Sequence, residues 1–217
     1  MIRTIAVIAL CLPALALSQA PKKSAEQAWN DLYAKREGKE HQFNKFLAEA
    51  VKGKKPGTAL DIGMGQGRNS LFLATLGWQV TGFDVSDVGV KQALAEAQKR
   101  DVKLDAQVGD VDKFDYGKNR YDLVVGMYMH DYLTRNASKV IASLKPGGML
   151  VVEGIHRDIS KDNLQGEKYG HRTNELTRAF GTLRIVYYQD TVDKADWERS
   201  GGKPVPVVRL IAVKEGK

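Results

Sequence analysis

The sequence predicts an α/β protein built on a doubly wound sheet of seven mostly parallel strands, with an antiparallel strand at its C-terminal edge. Three observations lead to this fold class. Apolar strand patterns alternate five times with helical patterns, three glycines at alternate positions follow the first predicted strand, and two long strand patterns close the chain. Such alternation is typical of parallel βαβ units, whereas two successive strands joined by a short loop pair in the antiparallel sense.

Helical spacing of apolar residues and glycine breaks define the elements in the first half of the chain. Leu32, Phe43 and Leu47 lie at helical intervals before the glycines, and Leu71 and Ala74 do so after them. We predict one or two helices over 24–51 with a break at Gly38, a strand over 58–62, a helix ending at Gly77, a strand over 79–83, and a helix capped by Ser86 or Asp87.

Apolar runs and turn signals define the elements of the second half. The run over 121–125 is apolar nearly throughout, as expected of a strand covered on both faces of a sheet. The sequence Lys-Pro-Gly-Gly at 145–148 is typical of a turn. We predict strands over 102–108, 121–125 and 149–153, a helix over 135–144, a short helix over 173–180 capped by Thr173, and closing strands over 183–189 and 205–213.

The first twenty residues, MIRTIAVIALCLPALALSQA, predict a secretory signal peptide. One arginine precedes a short apolar run interrupted by Pro13, and small residues follow, which is the layout of an export signal. The only cysteine, Cys11, lies in this segment, so the cleaved chain would carry neither a disulfide nor a thiolate metal ligand. We therefore expect residues 21–217 to form one exported domain, periplasmic or secreted, or cytoplasmic if the signal does not function.

Composition favours a globular domain without a nucleic-acid partner. The chain is 43% hydrophobic and 27% charged, which is ordinary for globular proteins. Its net charge of +7 comes from short basic groups interleaved with acids. Because no long basic run or array of aromatic residues accompanies them, we expect neither nucleic-acid binding nor a stable membrane anchor after signal cleavage.

The turn after the first strand has the pattern Asp-x-Gly-x-Gly-x-Gly over 61–67. Glycines let the backbone turn sharply and approach a ligand closely, and the following helix points its free amides and positive dipole end at the same place. A nucleotide-type ligand is therefore expected. The dinucleotide pattern G-x-G-x-x-G would require a third glycine at position 68, where this chain has Arg68, which argues against a nicotinamide cofactor.

Acidic residues end three of the predicted strands, at Asp61, Asp84 and Asp110. In a doubly wound sheet, ligands bind beyond the carboxyl ends of the strands, where the strand order reverses. Asp84 follows the glycines at the distance at which an acid reaches a ribose, and a carboxylate can accept from both hydroxyls. Asp110 is placed for an adenine amino group, with the Val111 amide as a second contact. The alternatives are a helix cap for Asp84 and ordinary turn chemistry for Asp110.

Five segments together resemble the class I S-adenosylmethionine (SAM) methyltransferases: LDIGMGQGRNSLFLA, VTGFDVS, GDV, YDLVV and LKPGGML. The resemblance covers 59–153 and implies a Rossmann-like fold with SAM as the cofactor. The run at 65–70, with Trp29 and Tyr33 upstream, is also similar to the tellurite-resistance group of small-molecule methyltransferases, in which an N-terminal helix folds over the methionine end of the cofactor. The export signal departs from that group, because SAM is made in the cytosol.

The resemblance and the strand-end positions together indicate which residues bind the cofactor. For Tyr33, core packing of an amphipathic helix is an equal alternative. The expected set is Tyr33, Asp61, Gly63, Gly65, Gly67, Arg68, Asn69, Asp84, Val85, Asp110, Val111 and Gly126.

Methyl transfer is an in-line displacement, so alignment and exclusion of water suffice unless the acceptor must lose a proton. Candidates for a base beyond the fourth and fifth strands are Tyr128, His130, Asp131, Glu153 and His156. We assign His130, Asp131 and His156 as catalytic and favour His130 over His156. The alternatives are a first helical turn for His130 and Asp131 and a surface loop for His156. No metal is expected, since three ligands at metal spacing are not visible.

Four functions remain open from the sequence. The leading one is a SAM-dependent methyltransferase acting on a small-molecule acceptor, with oxyanions and metalloids among the candidates. The second is a methyltransferase-fold protein that binds SAM or another nucleoside without catalysis, which the export signal favours. A nicotinamide-dependent oxidoreductase is disfavoured by Arg68, and a macromolecule-modifying enzyme by the lack of an added recognition domain. Nothing in the sequence identifies the acceptor or the oligomeric state.

Overall fold

The computed structural model describes residues 23–38, 42–162, 170–196 and 201–216. The predicted signal peptide, residues 1–20, lies outside these ranges. Within them, no helix has the length and apolar character needed to cross a bilayer.

Within the described residues, seven strands form a single sheet. They are β1 (Thr58–Ile62), β2 (Gln79–Asp84), β3 (Asp105–Val108), β4 (Tyr121–Met127), β5 (Leu144–Ile155), β6 (Arg184–Lys194) and β7 (Pro204–Val213). Their spatial order is β3-β2-β1-β4-β5-β7-β6, and the first five strands are parallel to one another. β7 is antiparallel to both β5 and β6. The predicted fold class is therefore confirmed, and β7 lies one position inside the edge, which β6 forms.

Seven α-helices flank the sheet in the described part of the chain. They are α1 (Ala25–Ala34), α2 (Lys45–Val51), α3 (Arg68–Thr75), α4 (Asp87–Lys99), α5 (His130–Arg135), α6 (Ala137–Ser143) and α7 (Glu175–Ala179). α1 begins with a capping box, in which the Ser24 hydroxyl accepts from the Gln27 amide and the Gln27 side chain accepts from the Ser24 amide. Of the two predicted caps for α4, Ser86 is the one used, accepting from the Gly89 amide at 3.0 Å.

The central strands β1 and β4 are buried on both faces, as their apolar sequences predict. Leu60 and Val124 pack into the apolar cluster that α5, α6 and α7 cover. Leu123 packs into the cluster on the opposite face, which α2 and α3 cover. Burying side chains of this size contributes about 1.5–3 kcal/mol each. The strand order reverses between β1 and β4, so the crevice at their carboxyl ends is the expected ligand position.

Two predicted strand starts are wrong, and β6 ends at Lys194 rather than at residue 189. β3 starts at Asp105 rather than at residue 102, because the Val102 amide closes α4 by donating to a carbonyl of its last turn at 3.1 Å. β5 starts at Leu144 and runs through the predicted turn at 145–148. Gly147 has a φ of +79° there, and its amide donates at 2.7 Å to a carbonyl just beyond β7. This segment therefore extends the sheet instead of leaving it.

Two predicted helices also differ in the structure. The helix expected over 135–144 is α6, and a separate helix that was not predicted, α5, precedes it and meets it at Asn136. The Asn136 side chain donates to Asp112 at 2.7 Å, which ties the junction to the loop after β3. α7 is preceded by Asn174, with a φ of +58°, rather than by the predicted cap Thr173. The Thr173 hydroxyl instead binds an imidazole of the candidate site.

Candidate active site

The turn between β1 and α3 contains three glycines in the left-handed region. Gly63, Gly65 and Gly67 have φ values of +66°, +56° and +79°, which side chains other than hydrogen rarely tolerate. Their neighbours are also close. A β-carbon on Gly63 would lie 2.1 Å from the sulfur of Met129, and one on Gly65 would lie 2.6 Å from the hydroxyl of Tyr33. Glycine is thus required by both conformation and space.

The carboxylate of Asp84, at the end of β2, joins this turn to the start of α4. One oxygen accepts from the Gly65 amide and the other from the Ser86 amide, both at 2.9 Å. Burial raises the pKa of Asp84, and these two hydrogen bonds oppose the rise. Each carboxylate oxygen can accept a second hydrogen bond. Asp84 is therefore held in place with acceptor capacity left for a ligand hydroxyl.

Asp61 lies buried under the glycine turn at the end of β1. It accepts from the Ser70 hydroxyl at 2.7 Å, which fastens the first turn of α3 to the strand. Burial raises the pKa of Asp61 to about 6, although the Ser70 hydrogen bond opposes the shift. The cofactor contact of Asp61 stays a prediction, and in the structure this residue anchors the helix.

α1 covers the glycine turn with the side chain of Tyr33. The ring stacks on Trp29 at a centroid distance of 5.6 Å, and a β-carbon on Gly89 would lie 3.0 Å from it. Burial raises the pKa of the Tyr33 phenol far above its usual value. α1 is held by Asn30, which donates to Asp87 at 2.7 Å and accepts from the hydroxyl of Ser86. Sequence reasoning missed Asn30, because nothing local marks its contact with α4.

The side chains of Arg68 and Asn69 fasten neighbouring segments. The Arg68 guanidinium donates to the carbonyls of Gln42 and Asp196 at 3.0 and 3.2 Å. The Asn69 side chain accepts from the amide of Asn44, just before α2, at 2.9 Å. Contact between these two residues and a cofactor would thus involve their backbone, since the first amides of a helix have no intrahelical partner.

The remaining predicted cofactor residues lie at neighbouring strand ends. Val85 follows Asp84 and is half-buried, and Val111 is buried beyond β3. Asp110 is exposed, and one of its oxygens accepts from the amide two residues later at 2.8 Å, which is the turn chemistry given as the alternative. A β-carbon on Gly126 would lie 2.7 Å from Leu133, so this glycine allows β4 to pack against α5.

Glu153, at the carboxyl end of β5, is surrounded by donors. It accepts from the Asn44 amide group at 2.7 Å, from the Arg209 guanidinium at 2.6 Å, and from the Tyr128 hydroxyl. Arg209 also pairs with Asp193 at 2.6 Å. Through these three hydrogen bonds, Glu153 joins the start of α2, the end of β4 and β7.

The three residues assigned as catalytic have different surroundings, and their assignment stays a prediction. Nδ1 of His156 accepts from the Asp158 amide and Nε2 lies 3.2 Å from the Thr173 hydroxyl, so both nitrogens are engaged. Asp131 pairs with Arg135 one helical turn later at 3.6 Å. His130 begins α5 with a φ of +48°, and its buried Nδ1 has no hydrogen-bond partner among the described residues.

His171 is a candidate that sequence reasoning missed. It pairs with the end of β5, since its amide donates to the Ile155 carbonyl at 2.8 Å and its carbonyl accepts from Arg157 at 2.9 Å. Its ring is fully buried, 5.5 Å from the His130 ring between centroids. Among the described residues, no three His, Cys, Asp or Glu side chains come close enough to hold a metal ion.

Comparison with known proteins shows a similarity over the central part of the chain. Residues 59–148 match the family model described as a methyltransferase domain. Over this segment, which is less than half of the 217-residue chain, the sequence is similar to a methyltransferase domain. The matched segment begins in β1 and ends in β5, so it contains the glycine turn, Asp84 and the crevice between β1 and β4.

Two curated methyltransferases and one solved structure illustrate the relationship. The chain is 34% identical over 103 residues to a ubiquinone biosynthesis O-methyltransferase of Methylobacterium sp. (strain 4-46), covering 46% of this chain and 41% of that protein. It is 33% identical over 112 residues to a ribosomal protein L11 methyltransferase of Campylobacter concisus (strain 13826), covering 50% and 39%. The crystal structure of TehB from Haemophilus influenzae is similar, with a TM-score of 0.66 at 19% identity, over 86% of this chain and 67% of that one.

This chain therefore spans about two fifths of the length of those two curated methyltransferases. The cofactor that the resemblance implies is SAM, and the residues of the site fit it. The glycine turn leaves the backbone open where a β-carbon would otherwise stand, and Asp84 offers a fixed carboxylate beside it. The start of α3 adds free amides and a positive dipole end.

Proposed function

We propose that this protein is a SAM-dependent methyltransferase that transfers a methyl group to a small molecule. The observation that carries the proposal is the carboxylate of Asp84, fixed by two backbone amides beside three left-handed glycines. It would accept from the ribose hydroxyls, while the glycines admit the rest of the cofactor. The nicotinamide alternative is disfavoured, because Arg68 stands at the third glycine position and binds two carbonyls.

When bound, SAM supplies a methyl group on a positively charged sulfur, and the chain's task is to orient and enclose it. Asp84 and the amides at the start of α3 would hold the cofactor at the crevice between β1 and β4. Tyr33 covers the glycine turn, and Asn30 keeps α1 closed over it. Because methyl transfer depends on alignment and on the exclusion of water, this cover serves the reaction directly.

The surroundings of the site support a small acceptor. α1 and the segment before α2 both close over the carboxyl end of the sheet, through Tyr33 at Gly65 and Asn44 at Glu153. The ubiquinone biosynthesis enzyme is named for a small molecule. The ribosomal protein L11 enzyme is named for a protein. Because this chain covers only 39% of that enzyme and 41% of the ubiquinone enzyme, we transfer neither acceptor and base the proposal on the enclosure of the site.

We further propose that residues 1–20 direct export and that residues 21–217 form a single domain. The arrangement of one arginine, an apolar run and small residues supports the first part. All strands of the described residues join one sheet, which supports the second. Export would separate the protein from the cytosolic source of SAM, and this is the reason to keep a non-catalytic SAM-binding or nucleoside-binding protein as the alternative.

Product formation separates the enzyme from the non-catalytic alternative. The purified chain is incubated with SAM and, separately, with a panel of phenols, thiols, selenite and tellurite, and S-adenosylhomocysteine is measured by mass spectrometry. We expect its formation to depend on one class of acceptor and to be lost in Asp84→Asn. Tight SAM binding with no acceptor-dependent product across the panel would instead support the binding protein.

A further inference from the structure

Two histidines at the carboxyl ends of β4 and β5 bury ring nitrogens without partners. Nδ1 of His130 and both ring nitrogens of His171 make no hydrogen bond to the described residues. The two residues are 8% and 0% exposed. Leaving a buried polar group unpaired is costly, so three such atoms in one place point to missing partners, which a bound ligand or a turn of one ring toward the other would supply.

The two rings face each other over Gly154 of β5. Their centroids are 5.5 Å apart, close enough for two ring nitrogens turned toward each other to reach hydrogen-bond distance. A β-carbon on Gly154 would lie 2.7 Å from Nε2 of His171 and 3.4 Å from Nδ1 of His130. The glycine therefore makes room for the pair.

The pair also lies beside the cofactor position. His130 directly follows Met129, whose sulfur would be 2.1 Å from a β-carbon on Gly63 in the glycine turn. The positive φ of His130 turns the chain at this point, between the end of β4 and α5. An acceptor bound at the histidines would consequently be next to the glycine turn.

Both imidazoles are neutral at neutral pH. Burial lowers the pKa of His130 to about 3, and the facing His171 lowers it further. Burial lowers the pKa of His171 to about 4, while Glu175 raises it and His156 and Arg157 lower it. A neutral imidazole has one nitrogen that can accept a hydrogen bond or a proton. With a pKa of about 3, His130 is a weak base and takes the proton only as the bond to the methyl group makes the oxygen or sulfur strongly acidic.

We propose that His130 takes up the proton of the methyl acceptor and that His171 positions His130, so that the acceptor is a neutral molecule with an O–H or S–H nucleophile. This inference rests on the proposed methyltransferase function. His130 accepts the proton as the acceptor's oxygen or sulfur bonds to the methyl carbon, and the electron pair of the broken carbon–sulfur bond goes to the cofactor sulfur. The positive charge thereby moves to the imidazole. Glu175, which raises the pKa of His171, favours charge at this end of the site.

The test titrates ¹⁵N-labelled protein, saturated with S-adenosylhomocysteine, with three probes: phenol, 2-mercaptoethanol and sodium selenite. Two-bond ¹⁵N–¹H spectra report the protonation and hydrogen bonding of each imidazole nitrogen. We expect phenol or 2-mercaptoethanol to shift the ring nitrogens of His130 and His171 together and to saturation. Selenite should leave them unchanged. Shifts by neither protic probe, or saturation by selenite, overturn the proposal.

Variants separate this role from a packing role. His171→Gln should weaken the protic probe at least about tenfold and change the tautomer signal of His130. Gly154→Ala, which keeps both imidazoles but places a methyl group against them, should do the same. The matched control is Tyr121→Phe, which removes a buried, unpaired hydroxyl at the other end of β4 and should leave the shifts unchanged.

The outcomes distinguish a failure of the proposed function from a failure of the role of the histidine pair. Failure of the wild-type protein to bind S-adenosylhomocysteine contradicts the proposed function itself. If S-adenosylhomocysteine binds but no probe shifts the ring nitrogens of the two histidines, only the role of the pair is contradicted. Unchanged probe affinity in both His171→Gln and Gly154→Ala would likewise overturn it.

Discussion

Replacing Asp84 tests the cofactor side of the site. Its carboxylate accepts hydrogen bonds from two backbone amides and lies beside the proposed cofactor position. Asp84→Asn keeps one oxygen and turns an amide donor toward Gly65 or Ser86. One buried amide left without an acceptor costs about 1–3 kcal/mol of unfolding free energy, and Asp84→Ala, which removes both acceptors, should cost about twice that. A lost charge-assisted hydrogen bond to the ribose, about 1.5–3 kcal/mol, weakens binding about tenfold or more.

Two measurements on the same preparations separate these effects. Urea unfolding gives the loss of stability, and calorimetry with S-adenosylhomocysteine gives the affinity of the folded protein. Asp122→Asn is the matched control, because its carboxylate accepts from the Thr58 amide at 2.8 Å and from Lys145 at 2.7 Å at the opposite end of the sheet. The control should lose stability and keep its affinity. Unchanged affinity in Asp84→Asn would refute the placement of the ribose.

Three further predictions follow from the site and the N-terminus. Because burial raises the pKa of Asp61 to about 6 from an unfolded value near 3.9, the folded state binds more protons between these values, and this group lowers stability as the pH rises through them. The free energy of unfolding of Asp61→Asn, measured in urea, should therefore rise relative to that of wild type by up to about 3 kcal/mol between pH 4 and pH 7. A difference between the two proteins that stays constant with pH would contradict this. Gly67→Ala should lose more stability and more S-adenosylhomocysteine affinity than Gly53→Ala. Both glycines have a positive φ, but only a β-carbon on Gly67 would meet a neighbour, Ala93 at 2.8 Å. Equal losses in the two variants would rule out a binding turn. Mass spectrometry of protein from its native host should find an N-terminus at Leu17, Gln19 or Pro21, whereas an intact Met1 on cytosolic protein would mean that no signal operates.

The fold was predictable where local pattern decides the structure. The strand over 58–62 has the expected bounds, because a short apolar run between glycine turns has few alternatives. The junction at Asn136 was not predictable, since it depends on Asp112 from a different loop. The place of β7 inside the edge likewise depends on pairing with β5 and β6 along its whole length, which no periodicity reveals.

The candidate site was likewise predictable from the sequence only in part. The glycine turn and Asp84 were predictable, because their roles follow from spacing along one βαβ unit. The surroundings of Glu153 were not, since its donors Asn44 and Arg209 come from residues 109 and 56 positions away. No periodic sequence pattern marks His171, and only the folded chain brings it to His130.

Calorimetry with S-adenosylhomocysteine, SAM and NAD on the purified protein tests the central claim most directly. Because Asp84 is held beside an open glycine turn, S-adenosylhomocysteine and SAM should each bind at one site per chain. NAD should bind at least about a hundredfold more weakly, which corresponds to about 2.7 kcal/mol. Equal or tighter binding of NAD, or no binding of S-adenosylhomocysteine to folded protein, would contradict the account.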